Sequence, residues 1–367
     1  MSGAVTPKEE TGNALPNSHH KLTGTPRIFS LQHQKEAKRL KACCFITAGN
    51  QTEKKAQATS GYPMIFLRLF QQQRTNPMKT RLRFSIISIF IGFAFVLAAE
   101  TKGEDNFAKD RLVAWCIVPF DAKQRGPAAR AGMLVQLGLK RVAYDWRDQH
   151  VKEFEEEILQ YKKHDLEFFA FWSVHEEAFR LFEKHKIQPQ IWRTAPSPQK
   201  ETQVAKVAAA AQDLLPLVER TRKMGSKLSL YNHGGWGGEP VNLMSVCKYL
   251  RQHHDAKHVG IVYNFHHGHD HIVNFEKSFK LMQPFLHCLN LNGMNNVAQP
   301  KILPLGQGRH ETAMLEVILR SGYTGPVGIL DHRSDTDAKV ALQENLAGMK
   351  EILKKLGAKE ALDSYSN

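Results

Sequence analysis

Four histidines fall among the nine residues YNFHHGHDH at 263–271, directly behind the apolar run VGIV at 259–262. Imidazole is a common metal ligand, and its ordinary pKa near 6.5 also suits it to moving protons close to neutral pH. A metal site, a proton-transfer site and a solvated turn all fit this stretch taken alone. Other chemically capable side chains recur behind apolar runs. Asp145 follows RVAY, Trp172 sits in LEFFAFWSV, Arg193 ends IQPQIWR, and Tyr231, Asn232 and His233 end KLSLYNH. Asn290 and Asn292 lie in HCLNLNG, and Asp331 lies in GPVGILDH.

The elements that would hold these residues repeat. Eight apolar runs, at 112–118, 141–146, 166–174, 187–193, 227–233, 259–265, 287–293 and 325–332, alternate with amphipathic helix-like stretches. Continuous apolar runs fit strands covered on both faces, and strand–helix alternation implies a parallel sheet with right-handed crossovers. Eight such units predict an α/β fold, a closed (β/α)8 TIM barrel, over residues 104–356, with 357–367 as a C-terminal tail. A doubly wound open sheet would carry a Gly-rich nucleotide turn after its first strand, where this chain has Val118-Pro119-Phe120-Asp121. Barrel chemistry gathers at the C-terminal strand ends. One mouth is therefore expected to collect Asp121, Asp145, Trp146, Trp172, Ser173, Trp192, Arg193, Asn232, His233, Asn264, His266, His267, Asn290, Asn292, Asp331 and His332.

The chain has 367 residues and a formal net charge of +14. Residues 1–99 hold 14 of the 50 Lys and Arg but only 4 of the 36 Asp and Glu, so the remainder is close to neutral. A broad basic face for nucleic acid is not indicated. Met78 opens MKTRLRFSIISIFIGFAFVLAAE, in which Lys79, Arg81 and Arg83 precede an apolar run that ends in small residues. That pattern predicts a signal peptide over 78–99 and an exported protein, periplasmic or secreted, without stable membrane association after cleavage. The alternative is a membrane anchor at 84–99. Residues 1–77 lack a sustained period and are expected to be a disordered or non-native extension. The five cysteines, Cys43, Cys44, Cys116, Cys247 and Cys288, show no CxxC or metal-ligand spacing, and three of them fall in apolar patterns as core residues.

In order and spacing, LYNHGGW (230–236), GIVYNFHHGH (260–269), LNLNGM (289–294) and GYTGPVGIL (322–330) resemble the xylose isomerase-like TIM-barrel family. This sugar phosphate isomerase/epimerase group also includes the family 2 AP endonucleases. The resemblance covers roughly residues 110–355. It implies one divalent cation held by a Glu, an Asp, a His and a Glu after strands five to eight, with two carboxylates moving a proton between adjacent sugar carbons. In this chain Tyr231 stands at the first ligand position, Asn264 at the second and Asn290 at the third. Leu330 replaces the last, with Asp331 one position on. His267 matches the family's substrate-facing histidine.

Asn and Tyr are weak substitutes for anionic oxygen around a hard cation. A retained divalent metal ion (Zn, Mn or Mg) would need another set, for which His233, His267, His269 and Asp331 are the candidates. Otherwise a histidine acts directly. His233, His267 and Asp331 are accordingly the expected catalytic residues. Asp145, Trp172, Arg193, Tyr231, Asn232, Trp236, Asn264, His266, Asn290 and Asn292 are the expected substrate contacts. Trp172, Trp192 and Trp236 are read as sugar-stacking faces or as a cover on the barrel. Gly234, Gly235, Gly237 and Gly238 are read as a backbone cradle for a ligand or as a loop needing positive φ. Asp270 is expected to cap the next helix and His271 to begin it.

The reading is an exported sugar isomerase or epimerase with a small-molecule sugar or sugar derivative as its partner. The alternatives are a carbohydrate-binding barrel that has lost catalysis and, third, AP endonuclease-like DNA processing. The near-neutral barrel and the export signal argue against the third.

Overall fold

The computed structural model describes residues 105–366. The expected leader at 78–99, the anchor alternative at 84–99, the extension at 1–77 and the cysteines Cys43 and Cys44 lie outside the described residues. Eight parallel strands form a closed barrel in sequence order, with β8 pairing back to β1. They are β1 (Val113–Trp115), β2 (Arg141–Tyr144), β3 (Glu167–Trp172), β4 (Gln190–Thr194), β5 (Leu228–Tyr231), β6 (Val259–Asn264), β7 (Leu286–Leu291) and β8 (Val327–Leu330). The main outer helices are α1 (Pro127–Leu137), α2 (Phe154–Lys163), α3 (Glu176–His185), α4 (Gln203–Met224), α5 (Pro240–His254), α6 (Phe275–Met282), α7 (Glu311–Arg320) and α8 (Ala338–Leu356). Among the described residues, no helix is long and apolar enough to cross a membrane.

α8 shows how the sequence builds each unit. The Asp337 side chain accepts the backbone N–H of Lys339 at 2.8 Å, and Gly357 takes the left-handed conformation that ends the helix. Between these ends, Ala338, Ala341, Leu342, Asn345, Leu346, Met349, Ile352 and Leu353 form one buried stripe at helical spacing.

The barrel interior is a separate cluster in which small residues make room for large ones. Ala143 and Ala170 accompany Trp115 and Trp192, whose rings meet edge to face at 4.8 Å. Below them, the Gln190 side-chain oxygen accepts from Trp192 Nε1 at 3.0 Å and from Ser229 Oγ at 3.1 Å. Ser229 Oγ also lies 3.0 Å from His287 Nδ1, and burial lowers that imidazole's pKa to about 3. Trp192 is thus an interior packing residue with its N–H satisfied, and it offers no stacking face at the mouth. At Gly328 a Cβ would come within 2.1 Å of Asn290 Oδ1, so the glycine makes room for the asparagine on β7.

Three expectations about local structure change. The first run was read as a strand to residue 118, but β1 ends at Trp115 because Cys116 turns left-handed at φ 61°. Ile117 and Val118 leave the sheet, and Asp121 goes with them. Its carboxylate accepts the backbone N–H of Ala338 at 3.1 Å and binds the Arg125 guanidinium at 2.8 and 2.9 Å, tying the β1 loop to α8. Asp270 and His271 form part of a 3-10 turn, with His271 Nε2 3.4 Å from Glu239, and α6 begins only at Phe275. Residues 359–363, within the expected tail, form a helix, and Tyr365 Oη donates to the Phe107 carbonyl at 2.8 Å.

One buried ion pair joins the first two outer helices. Arg130 of α1 and Glu157 of α2 are bonded to each other and almost fully removed from water, and a second Arg130 N–H group donates to the Arg125 carbonyl. Deleting one partner strands the other's charge. Arg130→Met is expected to destabilise the protein by about 3–5 kcal/mol in chemical denaturation, and a loss below about 1 kcal/mol would show that the pair is dispensable.

Candidate functional site

At the C-terminal mouth, aromatic and imidazole rings form a continuous arc. Trp172, ending β3, lies 4.6 Å from Tyr231, ending β5, and 6.0 Å from His233. His233 is 4.4 Å from His267, His267 is 3.7 Å from His266, and His266 is 5.2 Å from His332, all between ring centroids. His332, just beyond β8, stacks on Phe120 at 3.9 Å, and the Arg147 guanidinium lies 5.4 Å from the Phe120 ring. The opening stretch of histidines supplies the centre of the arc because Phe265–His267 is a single 3-10 turn directly behind β6. That tight turn points consecutive imidazoles into one space.

Beside the arc, β8, β1 and β2 run next to one another and end in Asp331, Cys116 and Asp145. All three are buried, and both carboxyls act electrostatically on the Cys116 thiol. Burial raises Asp145 to about 7, partly opposed by Arg147 and by the Val118 backbone N–H. Burial also raises Asp331 to about 7, opposed by the Arg333 backbone N–H and side chain and by the His332 backbone N–H. The Cys116 thiol is pushed up as well, first by burial and then by the two carboxyls, which keeps it protonated and a poor nucleophile. The same desolvation moves imidazoles the other way. His266 lies well below the usual histidine range, His267 is lowered to about 3, and His269 and His332 are lowered, with neighbouring imidazoles and Lys301 adding to burial for His266 and His267.

Several buried polar atoms at this mouth make no hydrogen bond within the protein. They are Asp145 Oδ1, both amide atoms of Asn264, His266 Nδ1, Asn290 Nδ2, Asn292 Oδ1 and Asp331 Oδ2. Buried polar groups are normally paired, so a concentration of unpaired ones marks a place for a polar ligand.

The expected residues divide on this geometry. His233, His267, His266, Trp172, Tyr231, Asn264, Asn290, Asn292, Asp145 and Asp331 belong to the mouth or its walls. Arg193 is exposed on the rim, with Nη1 3.3 Å from Ser173 Oγ. Asn232 is a clamp rather than a contact residue: its amide donates to the Asn264 carbonyl at 3.0 Å and accepts the Asn264 N–H at 2.8 Å. Trp236 turns away, its Nε1 donating to Gln203 of α4 at 3.0 Å. Within the glycine loop, a Cβ on Gly237 would meet the Ala195 carbonyl at 2.4 Å, so that glycine serves close packing.

Phe120, Arg147, Cys116 and Lys301 are the participants that sequence reasoning missed. Cys116 carried a usable signal, since it directly follows a strand, but its apolar neighbours made it read as core. Lys301 belongs to an irregular segment without a period.

A divalent cation does not fit the residues present. The four positions matching the family's ligands offer a phenol, two amides and an alkyl chain, and burial holds the Tyr231 hydroxyl well above its ordinary pKa. Among the described residues, no group of three or more His, Cys, Asp or Glu side chains is placed to hold a metal. The alternative set therefore fails as a set. His233 and His267 are adjacent, while His269 Nδ1 faces the His266 carbonyl at 3.2 Å and Asp331 Oδ1 accepts the Arg333 N–H at 3.2 Å.

No protein-family model matches the chain, and no curated protein matches it. Solved structures do. A zinc-bound IolI protein is similar at TM-score 0.53 and 11% identity, over 67% of this chain and 99% of that one. A D-tagatose 3-epimerase-like protein gives 0.52 and 14%, over 68% and 99%. The probable 3-DHS dehydratase AsbF from Bacillus anthracis gives 0.50 and 14%, over 65% and 97%. At such identities the likeness establishes a common barrel fold.

Two measurements check the site. Extensive dialysis against EDTA is expected to leave the unfolding temperature unchanged, and one tightly held metal ion per chain in elemental analysis would overturn the poor fit. The carboxyls give a pH signature. Because Asp145 and Asp331 are raised from about 4 in the unfolded chain to about 7 when folded, their stabilising contribution is complete below about pH 4 and is lost as pH rises through 7. Asp331→Asn cannot ionise, so its unfolding temperature relative to wild type should climb by several degrees between pH 5 and pH 8. A pH-independent difference would mean that Asp331 keeps an ordinary pKa.

Proposed function

We propose that this barrel, which shares the fold of xylose isomerase-like proteins, is an isomerase or epimerase of a sugar or sugar derivative that exchanges a proton through buried carboxyls. The supporting observation is the pair Asp145 and Asp331, each at about 7 and each with an oxygen left unpaired at the same mouth. They lie on the strands flanking β1, so their backbones are separated by two strand spacings, on the order of 10 Å.

Near neutral pH each carboxyl populates both protonation states, so one is available as base while the other is available as acid. The ionised carboxylate removes the proton from a carbon next to the substrate carbonyl. A neutral imidazole N–H of His267 steadies the developing oxyanion, and the protonated carboxyl returns a proton to carbon or oxygen. Return to the opposite face of the same carbon gives an epimer; return to the former carbonyl carbon, with the neighbouring hydroxyl proton passing to the former carbonyl oxygen, gives an aldose–ketose isomer. Asn264, Asn290 and His266 supply unpaired donors and acceptors for substrate hydroxyls, and Trp172 and Tyr231 offer ring faces to the sugar.

The relation to a D-tagatose 3-epimerase-like protein agrees with this class. The leader pattern at 78–99 supports action outside the cytoplasm, with the mature chain starting near Glu100. The second reading, a carbohydrate-binding barrel without turnover, draws on the loss of the family's metal-binding carboxylates.

Incubation with a panel of aldoses and ketoses in deuterated water should place deuterium beside the carbonyl of at least one sugar, followed by proton NMR. Asp145→Asn and Asp331→Asn should each slow that exchange by about 100-fold or more. His267→Ala should abolish sugar-dependent thermal stabilisation while the protein stays folded. Undiminished exchange in the Asp145→Asn, Asp331→Asn double variant would remove the carboxyls from the mechanism. Sugar-dependent stabilisation with no exchange at all would favour the binding barrel.

A further inference from the structure

The segment between β7 and α7 brings a lysine to the imidazole side of the mouth. Ile302 packs into the aromatic cluster inside the barrel, and Leu303 is fixed by its carbonyl accepting the Gly293 N–H at 2.8 Å. Lys301 directly precedes these anchors, so its backbone is held at the rim. Its ammonium makes no ion pair among the described residues. By contrast, Arg125 is paired with Asp121 and Asp337, and Arg333 with Glu344.

Lys301 acts electrostatically on His266, His267, His269 and His332, and the other leading influences on His266, His267 and His332 are imidazoles and, for His332, Arg147. His269, one of the imidazoles that Lys301 acts on, also feels the Asp270 carboxylate. His266 is 2% exposed, and its Nδ1 has no partner in the protein. An ammonium among neutral imidazoles, with a buried unpaired ring nitrogen beside it, suits an oxyanion, which accepts charge-assisted hydrogen bonds from all of them. Hydroxyl groups alone would make no use of the cation.

We infer that Lys301, with His266, His267 and His332, forms an anion subsite that takes the carboxylate or phosphate of an acidic sugar derivative. This rests on the sugar-processing reading above and narrows its substrate class. The anionic end lies on the side of β6 and the β7–α7 segment, and the reacting carbons lie toward Asp145 beyond β2.

The test is a titration of the full chain with inorganic phosphate, D-gluconate and D-glucose, following imidazole proton resonances assigned by single His→Gln variants. Phosphate or D-gluconate should shift the His266, His267 and His332 signals saturably. Lys301→Met should weaken that binding at least tenfold, and Lys301→Arg should retain it. A response to phosphate alone identifies a phosphoryl group, and one to D-gluconate alone a carboxylate. No shift with either anion, or equal affinity in Lys301→Met, overturns the subsite. If D-glucose shifts the same resonances as strongly as the anions do, the sugar site stands and the anion subsite falls. If no probe shifts them and deuterium exchange is also absent, both fall.

Discussion

Desolvation at the barrel mouth governs everything else this site can do. Taking an ionisable group out of water penalises its charged form, so carboxyls move up and imidazoles move down. Asp145 and Asp331 rise to about 7, while His266 and His267 fall far enough to remain uncharged at neutral pH. Opposite shifts from one cause give the mouth weak acids that can still ionise and bases that stay neutral. The fold supplies that cause: strand tips in a closed barrel are surrounded by neighbouring strands, and here the β7–α7 segment adds Ile302 from above.

A common barrel does not fix common chemistry, because chemistry belongs to the side chains grafted onto the strand ends. Asn264 and Asn290 are register partners on adjacent strands, close enough for their amides to share one wall. An amide has the shape and hydrogen-bonding reach of a carboxylate without the charge that would hold a cation. Gly328 leaves the room that Asn290 needs, so the wall is closely packed. A wall of uncharged, unpaired amides is suited to hydroxyl groups, whereas a divalent ion needs anionic oxygen or imidazole in larger number.

Much of the architecture was legible because its signals are local and repeated. The eight apolar runs each overlap one strand, and the proline-led stretch from Pro240 to His254 is a helix over that whole span. Strand ends were harder to place, since β1 stops at a left-handed Cys116 that no periodicity announces. At the site, residue type located the histidines and both aspartates but could not say where side chains turn. Asn232 is committed to a backbone 32 positions later, and Trp236 to a glutamine 33 positions earlier. Such partnerships are set by tertiary structure. Lys301 was invisible for a related reason: its importance comes from the imidazoles around it, which lie just beyond β6 and β8.

Two buried histidines show why partner accounting separates structure from function here. His287 and His266 are both nearly removed from water, and burial depresses both imidazoles. His287 has Ser229 Oγ at its Nδ1, within the network that joins Gln190 and Trp192. Its neutral ring therefore completes the lower barrel interior. His266 Nδ1 has no such neighbour, and the ring lies between His267 and His332 at the open end. An unsatisfied buried nitrogen costs free energy that folding alone does not return. That cost is tolerable where a ligand's oxygen meets the nitrogen, which is why the arc around His266, rather than the buried but partnered His287, is the place to look for substrate.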